Sequence, residues 1–165
     1  MKNKEIEKIY DLYYKELYLY TLSLCKNHYI AEEIVSDTFF KALVSLEYSD
    51  SNIKFWLFCV SKNLWIDYLR KNKFIANEEL NENILISHCN IVDKIVLDEK
   101  RKKLYAEVLN LKNTYKEVII LFYFCDFSLN DIAKSMNISS GSARTLLFRA
   151  RKKLKESLKE DIYGI

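Results

Sequence analysis

The sequence predicts an all-α protein of two small helical domains, the second containing a helix-turn-helix. Three observations carry that expectation. The chain of 165 residues has no proline and only two glycines, Gly141 and Gly164, which is poor material for a turn-rich β protein and compatible with long helices. Apolar residues recur in three- and four-residue steps through most of the chain, the period of an amphipathic helix. Charge is divided unevenly: residues 1–72 carry ten basic and ten acidic side chains, residues 73–98 two and five, and residues 99–165 fourteen and eight, so net charges of 0, −3 and +6 make up the overall +3. The length allows one domain or two small ones, and a hydrophobic content of 50% suffices for real cores. The expected boundaries are a first domain at 1–72, a linker at 73–91 and a second domain at 92–163.

In the first domain, Ile6, Ile9, Leu12, Tyr13, Leu17, Tyr20 and Leu24 define one helical stripe. A break near LCKNHY precedes a second helix, AEEIVSDTFFKALVSL, whose apolar face holds Ala31, Ile34, Val35, Phe39, Ala42, Leu43 and Leu46. The polar YSDSN at 48–52 interrupts the pattern, and a third helix is expected from Ile53 to Arg70, with Trp56, Leu57, Val60, Leu64 and Leu69 turned inward. Weak periodicity and clustered Asn and Glu mark KFIANEELNENILISHCN as linker, with Ile84, Leu85 and Ile86 as apolar residues that can dock.

A new helix is expected to start near Ile91 and to run through Ile95, Leu97, Leu104, Val108 and Leu109, followed after LKNT by the apolar segment YKEVIILFYFC. Helix-turn-helix logic follows. Ser128 can cap a helix containing Leu129, Ile132, Ala133 and Met136, with Asp131 placed to complete the reciprocal cap. Asn137 can occupy the tight turn because Asn tolerates left-handed backbone better than most residues. Ser139 is a good N-cap for the next helix, which can bury Ala143, Leu147, Ala150 and Leu154 while exposing Ser140, Arg144, Thr145 and Phe148.

Several function classes lack material. The two histidines, His28 and His88, form no HExxH pair, the cysteines Cys25, Cys59, Cys89 and Cys125 form no CxxC site, and no Gly-rich phosphate loop is present. The cysteines read as reduced core residues. His88 beside Cys89 lies in the linker without an orienting partner, so no catalytic residue, metal site or cofactor is expected. The N-terminus MKNKEIEKIYDLYY is charged and periodic, and the longest apolar run, Val118 to Phe124, is too short to span a bilayer. A cytoplasmic protein without direct membrane insertion is expected.

Between Lys134 and Lys159 the chain has eight basic residues against one acidic residue, Glu156, which is the electrostatic footprint of a polyanion partner. Small residues at a helix N-terminus allow close approach, and its backbone amides favour a phosphate. The following helix can enter the major groove, where Arg144 can donate two hydrogen bonds to guanine and Ser140 or Thr145 can touch base edges or phosphate. Arg149, Arg151, Lys152 and Lys153 supply charge to the DNA backbone. An ordinary solvated basic helix is the bland alternative.

The chain resembles an extracytoplasmic-function (ECF) type RNA polymerase sigma factor of the sigma-70 family. AEEIVSDTFFKAL resembles the helix that binds the polymerase clamp, and IKFWLFCVSKNLWIDYLRKNK the helix that recognises and opens the promoter -10 element, in the spacing of Trp56-Leu57, Val60, Lys62-Asn63, Asp67 and Arg70-Lys71. The segment YKEVIILFYFCDFSLNDIAKSMNISSGSARTLLFRARKKL resembles the -35 module, and the likeness covers residues 10–72 and 104–156.

The resemblance implies that Glu33, Asp37, Phe40 and Lys41 face core polymerase, although Phe40 suits a core role equally. Ser49, Asp50, Ser51 and Asn52 would form the loop that captures an unstacked -10 base, with Lys54, Phe55, Lys62, Asn63, Arg70 and Lys71 along the DNA path. Ser139, Ser140, Gly141, Ser142, Arg144, Thr145, Phe148, Arg149, Arg151, Lys152 and Lys153 would form the -35 surface. Trp56 and Leu57 suit the core, and Asp67 can orient a basic neighbour. The implied partners are the bacterial RNA polymerase core, promoter DNA and an anti-sigma factor, and the polymerase supplies the catalysis.

Departures from the family pattern stand at Asp126 and Asn137, where glycine is frequent, at Lys112, where Leu-Pro commonly opens the second domain, and at Leu146, where a basic residue is frequent. The main alternative is an autonomous helix-turn-helix transcriptional regulator, distinguished by binding its operator without core polymerase.

Overall fold

The computed structural model describes residues 2–45, 52–73 and 98–163. Among them every regular element is helical, and the chain divides into two compact units, Met1–Asn90 and Ile91–Ile165.

The first unit packs three helices against one another: α1 (Lys2–Cys25), α2 (His28–Ser45) and α3 (Ile53–Lys71). The corner between α1 and α2 needs only two residues. Lys26 adopts a left-handed φ of 53° and returns its N–H to the Leu22 carbonyl at 2.8 Å. Asn27 then caps α2, its Oδ1 accepting from the amides of Tyr29 and Ile30 at 2.9 and 3.2 Å, which satisfies donors that a helix start leaves without partners.

The core between the three helices holds Leu17, Tyr18, Tyr20 and Cys25 from α1, Ala31, Ile34, Val35, Phe39 and Ala42 from α2, and Leu57, Phe58 and Trp65 from α3. Buried polar atoms are paired within it. The hydroxyls of Thr21 and Ser61 meet at 2.7 Å across α1 and α3, and the Tyr18 hydroxyl lies 2.6 Å from His28 Nδ1. Burial, then the nearby Glu32 carboxylate, raises the Tyr18 pKa above the ordinary phenol value, so this phenol keeps its proton.

One member of the expected α1 stripe is misplaced. Leu12 is 66% exposed, because the inward face steps through Tyr14 and Tyr18; the Tyr10 ring, itself 43% exposed, continues the stack at the rim, with ring centres 4.8 and 6.0 Å apart along the series. A residue two positions before Tyr14 points to the opposite side of the helix. The inner faces expected for α2 and α3 are buried or half-buried throughout the described residues. Leu46 and 74–91, including Ile84, Leu85 and Ile86, lie outside those residues.

The second unit contains α4 (Glu99–Leu109), α5 (Asn113–Ile119) running into a π-helical turn (Ile120–Phe124), α6 (Leu129–Met136) and α7 (Ser140–Tyr163). The expected long helix from Ile91 is corrected at its described end. Asp98 is extended, with φ −90° and ψ 121°, and its carboxylate accepts from the Lys100 amide at 3.0 Å. It is therefore an N-cap, and α4 begins at Glu99. Ile91, Ile95 and Leu97 lie outside the described residues.

The apolar run after α5 widens into a π turn that periodicity does not announce. Cys125 N–H reaches five residues back to the Ile120 carbonyl at 3.1 Å, and the wider turn lets Val118 to Leu121, Phe124 and Cys125 all face the core. Asp126, with φ 54°, ends the segment in left-handed geometry. The core is completed by Tyr105 and Val108 of α4, Ile132 and Ala133 of α6, and Ala143, Leu147, Ala150 and Leu154 of α7.

Candidate nucleic-acid and partner interfaces

The turn between α6 and α7 is built from local rules. Ser128 Oγ accepts the Asp131 amide at 3.1 Å and starts α6. Asn137 ends it with φ 56° and ψ 49°, and Ile138 N–H returns to the Ala133 carbonyl at 2.9 Å, the left-handed C-terminal motif in which Gly or Asn is usual. Ser139 Oγ accepts the Ser142 amide at 3.0 Å and starts α7. Ser139 to Ser142 are all exposed at this helix start. Ser140 Oγ donates to Asn130 Oδ1 at 2.9 Å, tying α7 to α6, and Thr145 Oγ1 donates to the Gly141 carbonyl at 3.1 Å.

Along α7 the faces separate as the sequence predicts. Ala143, Leu147, Ala150 and Leu154 are buried, and Arg144, Thr145, Phe148, Arg149, Lys152 and Lys153 are exposed, Phe148 to 67%. Alanines at two of the inner positions let the helix lie close to its neighbours. Arg151 is held differently: its Nε donates to the Tyr123 hydroxyl and its guanidinium lies 5.5 and 5.4 Å from the ring centres of Phe122 and Tyr123. Lys153 sits 3.7 Å from Glu156. Leu146 is half-buried beside Thr114, Met136 and Ile138 in a groove at the helix start.

In the first unit, Glu33, Asp37, Phe40 and Lys41 are all exposed on α2 at spacings that share one face. Phe40 is 64% exposed, whereas its neighbour Phe39 is buried against Tyr10. Sequence reasoning missed that Tyr29 and Val44, each 66% exposed, extend the same face. Their four-residue steps from Glu33 and Phe40 were the available signal.

Ser49, Asp50 and Ser51 lie outside the described residues. Asn52 is exposed at the start of α3, where its carbonyl accepts Trp56 N–H at 3.0 Å. Lys54 is drawn inward: its ammonium lies 2.9 Å from Glu16 Oε2 and 6.0 Å from the centre of the Tyr13 ring. Phe55 and Lys62 are half-buried and Asn63 is exposed. Arg70 and Lys71 are exposed in the last turn, where the helix dipole favours cations. Asp67 sits 3.7 Å from Arg70, an exposed pair worth under about 1 kcal/mol. Leu57 is fully buried and Trp56 half-buried.

Cys25, Cys59 and Cys125 are unbridged thiols, and burial pushes the Cys59 thiol up, partly offset by Lys62. Among the described residues no cluster of three His, Cys, Asp or Glu side chains is placed to hold a metal. No helix among them is long and apolar enough to cross a membrane.

The model of sigma-70 region 2 matches residues 9–75, and that of sigma-70 region 4 matches residues 101–154. The chain is 32% identical to the ECF RNA polymerase sigma factor SigM of Bacillus subtilis, over 91% of this chain and 93% of that one. The chain belongs to the sigma-70 family. It is an RNA polymerase sigma factor of the ECF group, and the reading as an autonomous regulator is not favoured.

ECF sigma factor SigW of Bacillus subtilis is 30% identical over 92% of this chain and 88% of its own length. Among solved structures, the sigma factor RpoE of Bartonella quintana, crystallised with the anti-sigma factor NepR, superposes with a TM-score of 0.68 at 25% identity, covering 96% of this chain and 99% of that one. Sigma factors are polymerase subunits that are not themselves catalytic. Two of the departures from the family pattern now have a physical account. Asp126 and Asn137 both adopt positive φ, at 54° and 56°, and Asn and Asp are the non-glycine residues that visit this region most readily.

Proposed function

We propose that this sigma factor holds core RNA polymerase through the exposed face of α2, engages the promoter -10 element through α3, and reads the -35 element through α7. Residues 1–72 and 92–163 then act as the two functional modules, with 73–91 joining them. The observation that carries the reading is the two-sidedness of α7: one face is buried through Ala143, Leu147, Ala150 and Leu154, and the other offers Arg144, Thr145, Phe148, Arg149 and Lys152 beyond a start made of small hydroxyl residues. An arginine there can pair with guanine while lysine contacts phosphate.

On α2, Glu33, Asp37, Phe40 and Lys41 form the polymerase-facing surface, with Tyr29 and Val44 at its margins. On α3, Asn63, Arg70 and Lys71 line the DNA path, and Asn52 belongs to the loop that receives a -10 base. Strand opening loses stacking, and an enclosing pocket recovers part of that loss. The protein acts in the cytoplasm without a catalytic site of its own, and an anti-sigma factor is a further partner, as for the Bartonella quintana relative.

The test combines purified protein with core polymerase on a genomic promoter library and sequences the transcripts. Sequence-selective initiation dependent on this protein is the expected result. Its absence across a range of salt and temperature overturns the reading.

A further inference from the structure

The π-helical turn of the second unit has no part in the reading above, yet one of its residues joins three elements. The last carbonyls of a helical segment lack intrahelical donors. Here the Leu121 carbonyl receives Phe127 N–H at 3.0 Å, and the Tyr123 carbonyl receives Arg101 Nη2 of α4 at 3.2 Å. The Arg101 guanidinium rests 5.0 Å from the Phe124 ring centre. At its other end the Tyr123 hydroxyl accepts Arg151 Nε of α7, with the guanidinium spread over both the Phe122 and Tyr123 rings. Tyr123 is thus gripped by its backbone from α4 and by its side chain from α7.

Arg151 follows Arg144 by two helical turns and projects from nearly the same side of α7. Holding Arg151 therefore fixes the rotation of α7 about its axis, and because the helix is a rigid rod that phase carries two turns back to where Arg144, Thr145 and Phe148 emerge. A helix with side chains is about 10–12 Å across, so a rotation of roughly 20° moves a side-chain tip by about 2 Å. That exceeds the range over which a hydrogen bond to a base edge survives.

We propose that Tyr123 and Arg151 are a positioning pair that sets the phase of the recognition helix and thereby its selectivity for the -35 element. In this role Arg151 acts through Tyr123 and not on a DNA phosphate. The inference rests on the proposed entry of α7 into promoter DNA.

The experiment uses holoenzyme reconstituted from the full chain and core polymerase. Affinity is measured over several salt concentrations for one promoter fragment with its -35 element intact and one with that element scrambled. Tyr123→Phe removes the hydroxyl without altering charge, so its effect cannot come from a lost phosphate contact. Tyr123→Phe and Arg151→Gln are each expected to lower the ratio of the two affinities roughly 3- to 10-fold, with the salt slope on scrambled DNA unchanged. The double variant is expected to be no worse than the more affected single variant, as for two partners of one interaction. Arg151→Lys keeps the charge but cannot spread over two rings, and is expected not to restore the ratio.

A wild-type ratio in Tyr123→Phe, full rescue by lysine, or a slope lowered by about 0.9 in Arg151→Gln overturns the proposal, as does a lower melting temperature with an intact ratio. Wild-type holoenzyme that fails to distinguish the two fragments overturns the reading of α7 as well.

Discussion

Phe39 and Phe40 are adjacent and chemically identical, yet one is buried and the other exposed on α2, so exchanging each for alanine separates folding from partner binding. Phe39 is 7% exposed and packs on Tyr10 at 4.9 Å between ring centres. Phe39→Ala is expected to cost about 3–5 kcal/mol of stability, the usual range for a buried Phe replaced by Ala. Phe40 is 64% exposed. An aromatic side chain presents about 200 Å², so about 130 Å² is open to a partner; at about 25 cal/mol per Å², covering it contributes roughly 3 kcal/mol.

Ordering the side chain takes back about 1 kcal/mol. The expected loss in core polymerase affinity for Phe40→Ala is therefore about 2 kcal/mol, roughly thirtyfold in Kd. Its stability should change by no more than about 0.5 kcal/mol, because little buried area is lost and alanine is the better helix former. Fluorescence anisotropy with core polymerase and thermal unfolding of the free protein measure the two effects. Unchanged affinity with a Tm lowered by about 10 °C or more refutes the argument, since it would mean that the Phe40 ring is held by this protein's own core.

Two further predictions concern the helix-turn-helix. Asn137→Gly should leave thermal stability within about 1 kcal/mol of the original, whereas Asn137→Val should lower it by roughly 1–3 kcal/mol, because a β-branched residue is strained at φ 56°; equal melting of the two variants refutes this. Arg144→Ala should relax selectivity at one -35 position by about 1–3 kcal/mol, while Lys152→Ala should weaken all sequences evenly and lower the salt slope by about 0.9. A binding-site library read at several salt concentrations by the holoenzyme separates them, and an even loss for both refutes the assignment of Arg144.

The parts of the fold readable from sequence are those governed by short-range rules. Ser128, Asn137 and Ser139 each act within four residues, through a cap or a left-handed turn, and each is found as the sequence predicts. The inner face of α7 follows from period alone. Leu12 was misplaced because α1 is apolar on more than one side, and only packing decides which side is covered. The start of α4 at Glu99 is not legible from apolar period alone, because the period runs on across the capping residue Asp98. The π turn had no available signal, since an apolar run reads the same with four or five residues to the turn. Exposure on α2 is legible in part: spacing puts Phe39 on the inner face with Ala31, Ile34, Val35 and Ala42, and Glu33, Asp37, Phe40 and Lys41 together on another, but whether the Phe40 ring is also covered by the core depends on the tertiary contacts of α2.

On the proposed reading, charge placement suits a division of labour between the two units. The first unit carries no net charge over residues 1–72, and two of its candidate DNA-path cations already face carboxylates, Lys54 at Glu16 and Arg70 at Asp67. Counterion release scales with the number of phosphates neutralised, so such a surface gains little DNA affinity by charge alone and depends on being held at the promoter by something else. The excess of +6 lies beyond residue 98, and even there Arg151 is turned onto an aromatic pair and Lys153 toward Glu156. Arg144, Arg149 and Lys152 are then the principal exposed cations near the recognition face. If those three cations meet phosphates or bases as proposed, they would support only weak binding by the separate chain, and the remaining affinity would have to come from the polymerase that α2 would engage.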